Sequence, residues 1–200
     1  MIDNQTALLL IDLQLGFDEV AHWGGNRNNP DCEAVCFDLL TAWRKRQMPI
    51  FHIRHASTEP NSPLAPHRSG FAFKPLTAPQ AGERIIQKQV NSSFIGTDLQ
   101  QQLDKAGIKK LVLAGLTTNH CVSTTARMAG NLGYQAWVVH DATATFDRKG
   151  HDGTVYPSEL IHRTALASLH GEFATVLGSC DVLSMLKNPQ NPLKNQQSPL

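Results

Sequence analysis

The amino-acid sequence predicts a three-layer α/β/α sandwich built on a six-stranded, mainly parallel sheet. Short segments that are apolar nearly throughout alternate along the chain with longer segments whose apolar residues recur at helical spacing. Strands that are apolar on both faces are typical of a sheet covered by helices on both sides. Strands and helices in alternation are typical of βαβ units, and therefore of a Rossmann-like parallel sheet.

Six segments are predicted to be strands because each is a short, mostly apolar run. In chain order they are residues 7–11, 49–53, 84–87, 110–116, 136–140 and 173–177. In an open parallel sheet the ligand crevice lies beyond the carboxyl ends of the strands. The residues that follow these runs are therefore the first candidates for chemistry.

Four segments between the strands have the apolar spacing of amphipathic helices. Their predicted bounds are 31–46, 97–107, 122–133 and 157–171. Residues 97–100 match the pattern of a capping box, which would open the second helix. In the fourth helix, Ile161, Ala165 and Leu169 are predicted to face the core.

A single domain over residues 1–187 is predicted, because 200 residues of which 41% are hydrophobic suffice for one core. Residues 57–79 contain five of the eleven prolines and are predicted to form a long loop over the crevice. Residues 188–200 are polar and rich in proline, so a flexible tail is expected there.

Charge and composition exclude several classes of partner. Eighteen basic and seventeen acidic residues leave a net charge of +1, which gives no electrostatic reason for a nucleic-acid or membrane partner. A small-molecule substrate is expected instead. The N-terminal segment lacks the pattern of a signal peptide, so a cytoplasmic location is expected, with the four cysteines as thiols. The cysteine spacing does not fit a structural zinc site.

Three chemically active side chains follow predicted strands. Asp12 follows the first, Lys88 the third, and Cys121 follows the fourth at a turn into a helix. Taken singly, each residue has an ordinary structural role: Asp12 could cap a helix or form a salt bridge, Lys88 could be solvated, and Cys121 could be a buried thiol. Together they can act, because a carboxylate can accept the thiol proton and an ammonium stabilises both anions. A helix N-terminus would also favour the thiolate and could hold an oxyanion.

Three segments resemble the signatures of a known enzyme group. They are LLLIDLQLGF, KQVNSSFIGTDL and AGLTTNHCVSTTAR, and the likeness continues through VVHDATATF and ELIHRTALASLHGEFATV. In order and spacing they resemble the isochorismatase-like cysteine hydrolases, a group that includes nicotinamidases and N-carbamoylsarcosine amidases. The resemblance covers roughly residues 6–180.

The resemblance implies a role for each candidate. Asp12 would be the general base, Lys88 its electrostatic partner and Cys121 the nucleophile. A cis peptide bond would join Leu116 to Thr117, and the N–H groups of Thr117 and Cys121 would form an oxyanion hole. The implied reaction is hydrolysis of a C–N bond in a small amide or carbamoyl compound through a thioester, without a cofactor. The resemblance also implies a homo-oligomer, a dimer or a tetramer.

Further residues near the strand ends are candidates for contact with the substrate. They are Gln14, Phe17, His55, Phe73 and Leu116. Nicotinamidases carry an Asp-x-His metal motif after the second strand. This chain has His52-Ile53-Arg54-His55 there, then His67, without the aspartate, so no functional metal is expected. His120 is not expected to be the base, because neighbours on a helix do not face each other.

Two alternatives to amide hydrolysis stay open at this point. True isochorismatases of the same group cleave an enol ether without the cysteine. The chain could also be a thiol-based or small-molecule-binding protein on the same fold, although Asp12 and Lys88 favour an enzyme. The substrate depends on how residues 57–79 fold over the crevice, which sequence does not predict.

Overall fold

Six strands form one sheet in the order β3-β2-β1-β4-β5-β8, and every neighbouring pair is parallel. The computed structural model describes residues 1–187, and the predicted tail at 188–200 lies outside the described residues. The strands of this sheet are β1 (Thr6–Ile11), β2 (Ile50–His55), β3 (Arg84–Lys88), β4 (Lys110–Leu116), β5 (Gln135–Ala144) and β8 (Thr175–Leu177). A separate antiparallel hairpin is made by β6 (Arg148–Lys149) and β7 (Val155–Tyr156).

Helices cover both faces of the sheet. They are α1 (Val20–Trp23), α2 (Cys32–Lys45), α3 (Leu99–Lys105), α4 (Ser123–Asn131), α5 (Ser158–Leu169) and α6 (Ser179–Lys187). Alternate residues of β1 point to opposite faces: Leu8 and Leu10 pack in the cluster that includes α2 and α6, whereas Leu9 packs in the one that includes α3, α4 and α5. The predicted three-layer α/β/α sandwich is confirmed, and the sheet is wholly parallel.

The strand order places a crevice beside β1. The chain runs from β1 outward through β2 to β3, then returns to the other side of β1 with β4. Such a reversal leaves a gap beyond the carboxyl ends of the two strands where it occurs, which is where ligands bind in sheets of this kind. Asp12 follows β1 and Cys121 follows β4, so both lie at this point.

Strand β5 runs past its predicted end. The sequence AWVVH predicted a stop at residue 140, but β5 continues to Ala144. The pairing with β4 shifts register, so that Leu113 lies opposite Val138 and Gly115 lies opposite Thr143. The extra residues of this irregularity include polar His140 and Asp141, which resemble the end of a strand in the sequence.

Two local predictions about helices are corrected. The capping box at 97–100 does not form; Thr97 Oγ1 donates to the carbonyl of Ser93 (2.6 Å) and accepts the N–H of Leu99 (3.3 Å), and Asp98 precedes the helix. In α5 the buried side chains are Ser158, His162, Leu166 and Leu169, while Ile161 and Ala165 are only partly buried. His162 turns inward because its Nδ1 bonds Thr118 Oγ1 at 2.9 Å, a polar contact that apolar spacing does not reveal.

Within residues 1–187, no helix is long and apolar enough to cross a membrane. Cys32, Cys36 and Cys121 are buried free thiols, and Cys180 is an exposed one.

Candidate active site

Lys88 brings the predicted catalytic residues together at the crevice. Its Nζ donates to Asp12 Oδ2 at 2.7 Å and to Cys121 Sγ at 3.3 Å. Asp12 is fully buried, Lys88 is 1% exposed and Cys121 is 8% exposed. A charged pair with this little exposure is costly, and the mutual contact of Lys88 and Asp12 offsets part of that cost.

Asp12 reaches the cluster from a backbone in the left-handed region. It follows β1 with φ of 53°, its N–H donates to the carbonyl of Ile53 at 3.0 Å, and its carbonyl accepts the N–H of Gln14 at 2.8 Å. For a residue other than glycine this conformation costs about 1–2 kcal/mol, and surrounding bonds must enforce it. The backbone at the end of β1 therefore directs the Asp12 carboxylate into the crevice.

One oxygen of that carboxylate has no hydrogen bond. Asp12 Oδ2 accepts from Lys88, but Asp12 Oδ1 is buried and has no partner among the described residues. An Asp12 carboxylate oxygen lies within 4.8 Å of Cys121 Sγ. A carboxylate this close to a thiol can accept its proton.

Cys121 lies in a widened turn ahead of α4. The Leu116–Thr117 peptide bond is cis, as predicted, and residues Thr118–Val122 then form a π-helical turn that leads into α4. The sequence predicted the first turn of a regular α-helix at this place, so the π-turn is a refinement. Turns of this kind recur at functional sites. The N–H groups of His120 and Val122 both donate to the Thr117 carbonyl, which fixes the turn around Cys121.

Gly115 lets β4 approach β1 closely just before this turn. Its φ is +119°, and a Cβ built there would lie 2.1 Å from the carbonyl oxygen of Ile11. No side chain fits at that distance, so only glycine permits the approach. The contact brings the end of β4, which leads to Cys121, against the end of β1, which leads to Asp12.

The electrostatics of the cluster keep the thiol protonated at rest. Burial raises the pKa of Cys121, the Asp12 charge raises it further, and Lys88 only partly opposes them. Burial lowers the pKa of Lys88, but the charge of Asp12 and the hydrogen bond to it raise that pKa, so the net pKa is raised and the ammonium stays charged. The resting state is therefore an ion pair beside a neutral thiol.

His55 is a fourth member of the cluster. Its Nδ1 lies 3.1 Å from Lys88 Nζ, and because an ammonium can only donate, Nδ1 is the acceptor and the ring proton is on Nε2. Burial, and then the charge of Lys88, lowers the pKa of His55, so the ring is neutral. The sequence predicted His55 only as a substrate contact.

The same contacts decide whether the cluster fits a metal ion. One ligand atom each of Asp12, His55 and Cys121 lie within 4.8 Å of one another, as three metal ligands would. However, Lys88 Nζ contacts all three residues. The ammonium already supplies the positive charge that this donor set would otherwise offer to a cation, so the residues do not fit a metal centre.

The cluster opens into a cavity of about 270 Å³. The lining combines aromatic and polar side chains, namely Phe17, Trp23, His55, Ser57, Ser62, Leu64, Asn91, Thr117, His120, Cys121, Thr145, Phe146 and Arg148. The predicted loop over 57–79 contributes Ser57, Ser62 and Leu64. Of the predicted substrate contacts, Phe17 and His55 line this cavity.

The other three predicted substrate contacts do not line the cavity. Gln14 braces His55, since its Nε2 donates to the carbonyls of His55 and Phe71 and its Oε1 accepts the His55 N–H at 2.8 Å. Phe73 packs edge-on against His52, with ring centroids 6.0 Å apart. Leu116 is fully buried in the core. These three residues support the residues around the crevice, and their contact with the substrate stays a prediction. His67 is exposed and also lies outside the lining.

Several lining residues were not predicted from sequence. Asn91 lies three residues after Lys88, and its Oδ1 is 3.9 Å from Cys121 Sγ. Thr145, Phe146 and Arg148 follow β5 directly. Their sequence signal was their position after a predicted strand, the same signal that revealed Asp12, but the premature end predicted for β5 obscured it.

Comparison with known proteins places the chain in a family. The family model "Isochorismatase domain" matches residues 6–179. The chain is 43% identical over 176 residues to the uncharacterized isochorismatase family protein YrdC of Bacillus subtilis, covering 88% of this chain and 93% of that protein. It is 31% identical over 175 residues to a streptothricin hydrolase of Streptomyces noursei, covering 85% of this chain and 67% of that protein. A crystal structure of an isochorismatase-family protein from Chromobacterium violaceum matches with a TM-score of 0.90 at 44% identity, covering 94% of this chain and 96% of that one. The chain belongs to the isochorismatase family of hydrolases.

Proposed function

We propose that the protein hydrolyses a C–N bond of a small amide or carbamoyl compound through a thioester on Cys121. The observation that carries the proposal is the contact of buried Lys88 with both Asp12 and Cys121, which holds an Asp12 carboxylate oxygen within 4.8 Å of the Cys121 thiol. An acceptor held ready next to a protonated nucleophile is the arrangement that general-base activation requires.

In the first step, the thiol proton moves from Cys121 Sγ to the Asp12 carboxylate as the sulfur attacks the carbonyl carbon. The carbonyl π electrons move to oxygen, and the N–H groups of Thr117 and Cys121 stabilise the oxyanion. Both residues line the cavity, which supports this placement. Lys88 stays protonated and offsets the charge of whichever partner is anionic.

In the second step, protonated Asp12 gives its proton to the leaving nitrogen. The C–N bond breaks, the amine or ammonia departs, and the acyl group remains on Cys121. Water then attacks the thioester, Asp12 takes one of its protons, and collapse of the intermediate releases the acid and restores the thiol by return of that proton. Each proton that Asp12 accepts is given back, so the cycle needs no cofactor.

His55 and Gln14 act behind this chemistry. His55 accepts one N–H of Lys88, which leaves the ammonium with a fixed orientation towards Asp12 and Cys121. Gln14 fixes the backbone of His55 with two hydrogen bonds. Orientation of this kind is what keeps reacting atoms within reach of each other.

Two observations favour this reaction over the alternatives. Cys121 lines the cavity and bonds Lys88, which an enol-ether hydrolase that does not use the cysteine would not need. An Asp12–Lys88 ion pair that is fully buried and bonded to a thiol is costly, and a protein that only binds a ligand would have no use for it. The streptothricin hydrolase relative adds support for hydrolysis of a small molecule.

The test is a screen of primary amides and carbamoyl compounds for ammonia release, comparing the wild type with Cys121→Ala. Cys180→Ala is the matched control, because Cys180 is an exposed free thiol. We expect turnover to fall by about 10³-fold or more in Cys121→Ala and to be unchanged in Cys180→Ala. Equal ammonia release by wild type and Cys121→Ala would reject the thioester route.

A further inference from the structure

Arg148 is a cavity-lining cation without an acidic partner. It lies in β6, is half-buried, and its Nη2 is 2.8 Å from His120 Nε2. A guanidinium can only donate, so His120 is the acceptor and is neutral. Within residues 1–187 no carboxylate lies within salt-bridge distance of Arg148, whereas Arg27 and Arg44 are each held by a glutamate.

His120 does not offset the charge of Arg148. Burial, and then the Arg148 charge, lowers the pKa of His120, so the imidazole carries no charge and offers only its acceptor nitrogen. That contact uses part of the guanidinium, which has five N–H donors in a planar fork. The other N–H groups remain available to an anionic ligand in the cavity that Arg148 lines.

The cavity as a whole is positive. Its lining contains no aspartate or glutamate, and Arg148 is its one arginine or lysine. The Lys88 ammonium behind the lining is offset by Asp12 at 2.7 Å. One uncompensated positive charge in a partly enclosed site attracts an anion and strengthens its binding.

Part of the lining is aromatic. Phe17 and Trp23 stack with ring centroids 4.7 Å apart, and Phe146 lies 6.2 Å from Phe17 and 6.3 Å from Trp23. These rings exclude water from part of the site and lower the local dielectric constant, which strengthens the attraction between Arg148 and a bound anion. With a volume of about 270 Å³, the site fits a small molecule only.

We propose that the substrate is a small anionic amide or carbamoyl compound whose carboxylate binds Arg148 while its C–N carbonyl carbon meets Cys121. The inference rests on the proposed function and names the substrate class within it. His120 links the two residues that would bind the ends of this substrate, because it contacts Arg148 and directly precedes Cys121 in the chain. A guanidinium and a carboxylate match as a two-pronged pair, so Arg148 sets specificity and orientation together.

The kinetic test compares amides in which a carboxylate is replaced by a neutral amide, with kcat/KM expressed per amide group. Malonamate is paired with malonamide and succinamate with succinamide, and kcat/KM for ammonia release is measured for each. In the wild type we expect the acid of the better pair to be favoured by at least about tenfold, which corresponds to about 1.4 kcal/mol. Arg148→Met should bring the ratio close to one, and Arg148→Lys should retain part of it.

Arg163→Met is the matched control, since Arg163 is exposed on α5 and lies outside the cavity lining. It should keep the wild-type ratio. A thermal melt of each variant shows whether it is folded. A wild-type ratio near one, or a ratio that survives Arg148→Met in a folded protein, would overturn the inference.

A binding measurement separates this inference from the proposed function. Succinamate is titrated calorimetrically into Cys121→Ala protein and into the same protein carrying Arg148→Met. Saturable binding that Arg148→Met weakens at least tenfold sustains the anion site even if no amide is turned over, in which case the proposed function alone fails. No saturable binding to Cys121→Ala protein, or equal binding by both proteins, would overturn the anion site.

Discussion

Replacing Lys88 by methionine removes the centre of the catalytic cluster. Methionine is similar in length and fits an apolar space, but it cannot donate to Asp12, His55 or Cys121. Asp12 would then be buried with neither carboxylate oxygen bonded to a donor among the described residues, since Oδ1 already has none. The substitution therefore tests the ion pair and the chemistry together.

The magnitude follows from the burial of the pair. Both side chains of the Asp12–Lys88 pair are 0% exposed, so the loss of one partner leaves an uncompensated buried charge. Removing one partner of such a pair costs about 3–5 kcal/mol. For a domain of this size, a melting temperature lower by roughly 6–20 °C is expected, at about 2–4 °C for each kcal/mol.

The assay is thermal and urea unfolding of Lys88→Met, with amide turnover measured on the folded protein. Lys110→Met is the matched control, because the Lys110–Asp3 pair is partly exposed and worth only about 0–1 kcal/mol. Turnover should be lost in Lys88→Met and kept in Lys110→Met. If Lys88→Met melts at the wild-type temperature and still turns over amide, the buried pair is neither structural nor catalytic and the reasoning fails.

Three other perturbations test separate parts of the account. Gly115→Ala should destabilise the protein by about 3 kcal/mol or more and abolish turnover, because its Cβ would meet the Ile11 carbonyl at 2.1 Å. Gly82→Ala is the control, because Gly82 also has a positive φ but has open space around it. Equal urea midpoints for the two variants would contradict the close approach at Gly115. Burial holds the pKa values of His52, His55, His120 and His162 below that of free histidine. The unfolded chain thus takes up more protons as pH falls through about 6.5, so urea midpoints should fall from pH 7.5 to 5.5, and a rise would show the wrong sign. Because Lys88 bonds all three potential ligands, dialysis against a chelator should leave turnover unchanged, and a loss that zinc restores would contradict this.

The sheet and the catalytic residues could be predicted because each has its own local signal. The buried parallel strands β1 and β4 are apolar runs. Asp12 directly follows β1, Cys121 lies in the turn after β4, and Lys88 is the last residue of the edge strand β3. Their convergence follows from the rule that parallel strands end at one edge. The family resemblance then supplied their roles and the Leu116–Thr117 cis bond, which spacing alone does not encode.

The remainder of the site depends on contacts between distant segments. The sequence predicts that His55 contacts the substrate, but a histidine near a crevice has several common roles. Only the 3.1 Å contact between His55 and Lys88 distinguishes among these roles. Arg148 lies in a two-residue strand that is too short for any periodic pattern. The stacking of Trp23 on Phe17, and of Phe146 beside both, depends on tertiary packing that neither segment predicts alone.

The central claim is that Cys121 carries the acyl group during turnover. The most direct measurement is acid-quenched peptide mapping by mass spectrometry, with a substrate identified in the amide screen. An acyl mass increment is expected on the peptide that contains Cys121, formed during turnover and absent in Cys121→Ala, which should also lose activity. Turnover at the wild-type rate by Cys121→Ala, with no acylated peptide in the wild type, would contradict the account.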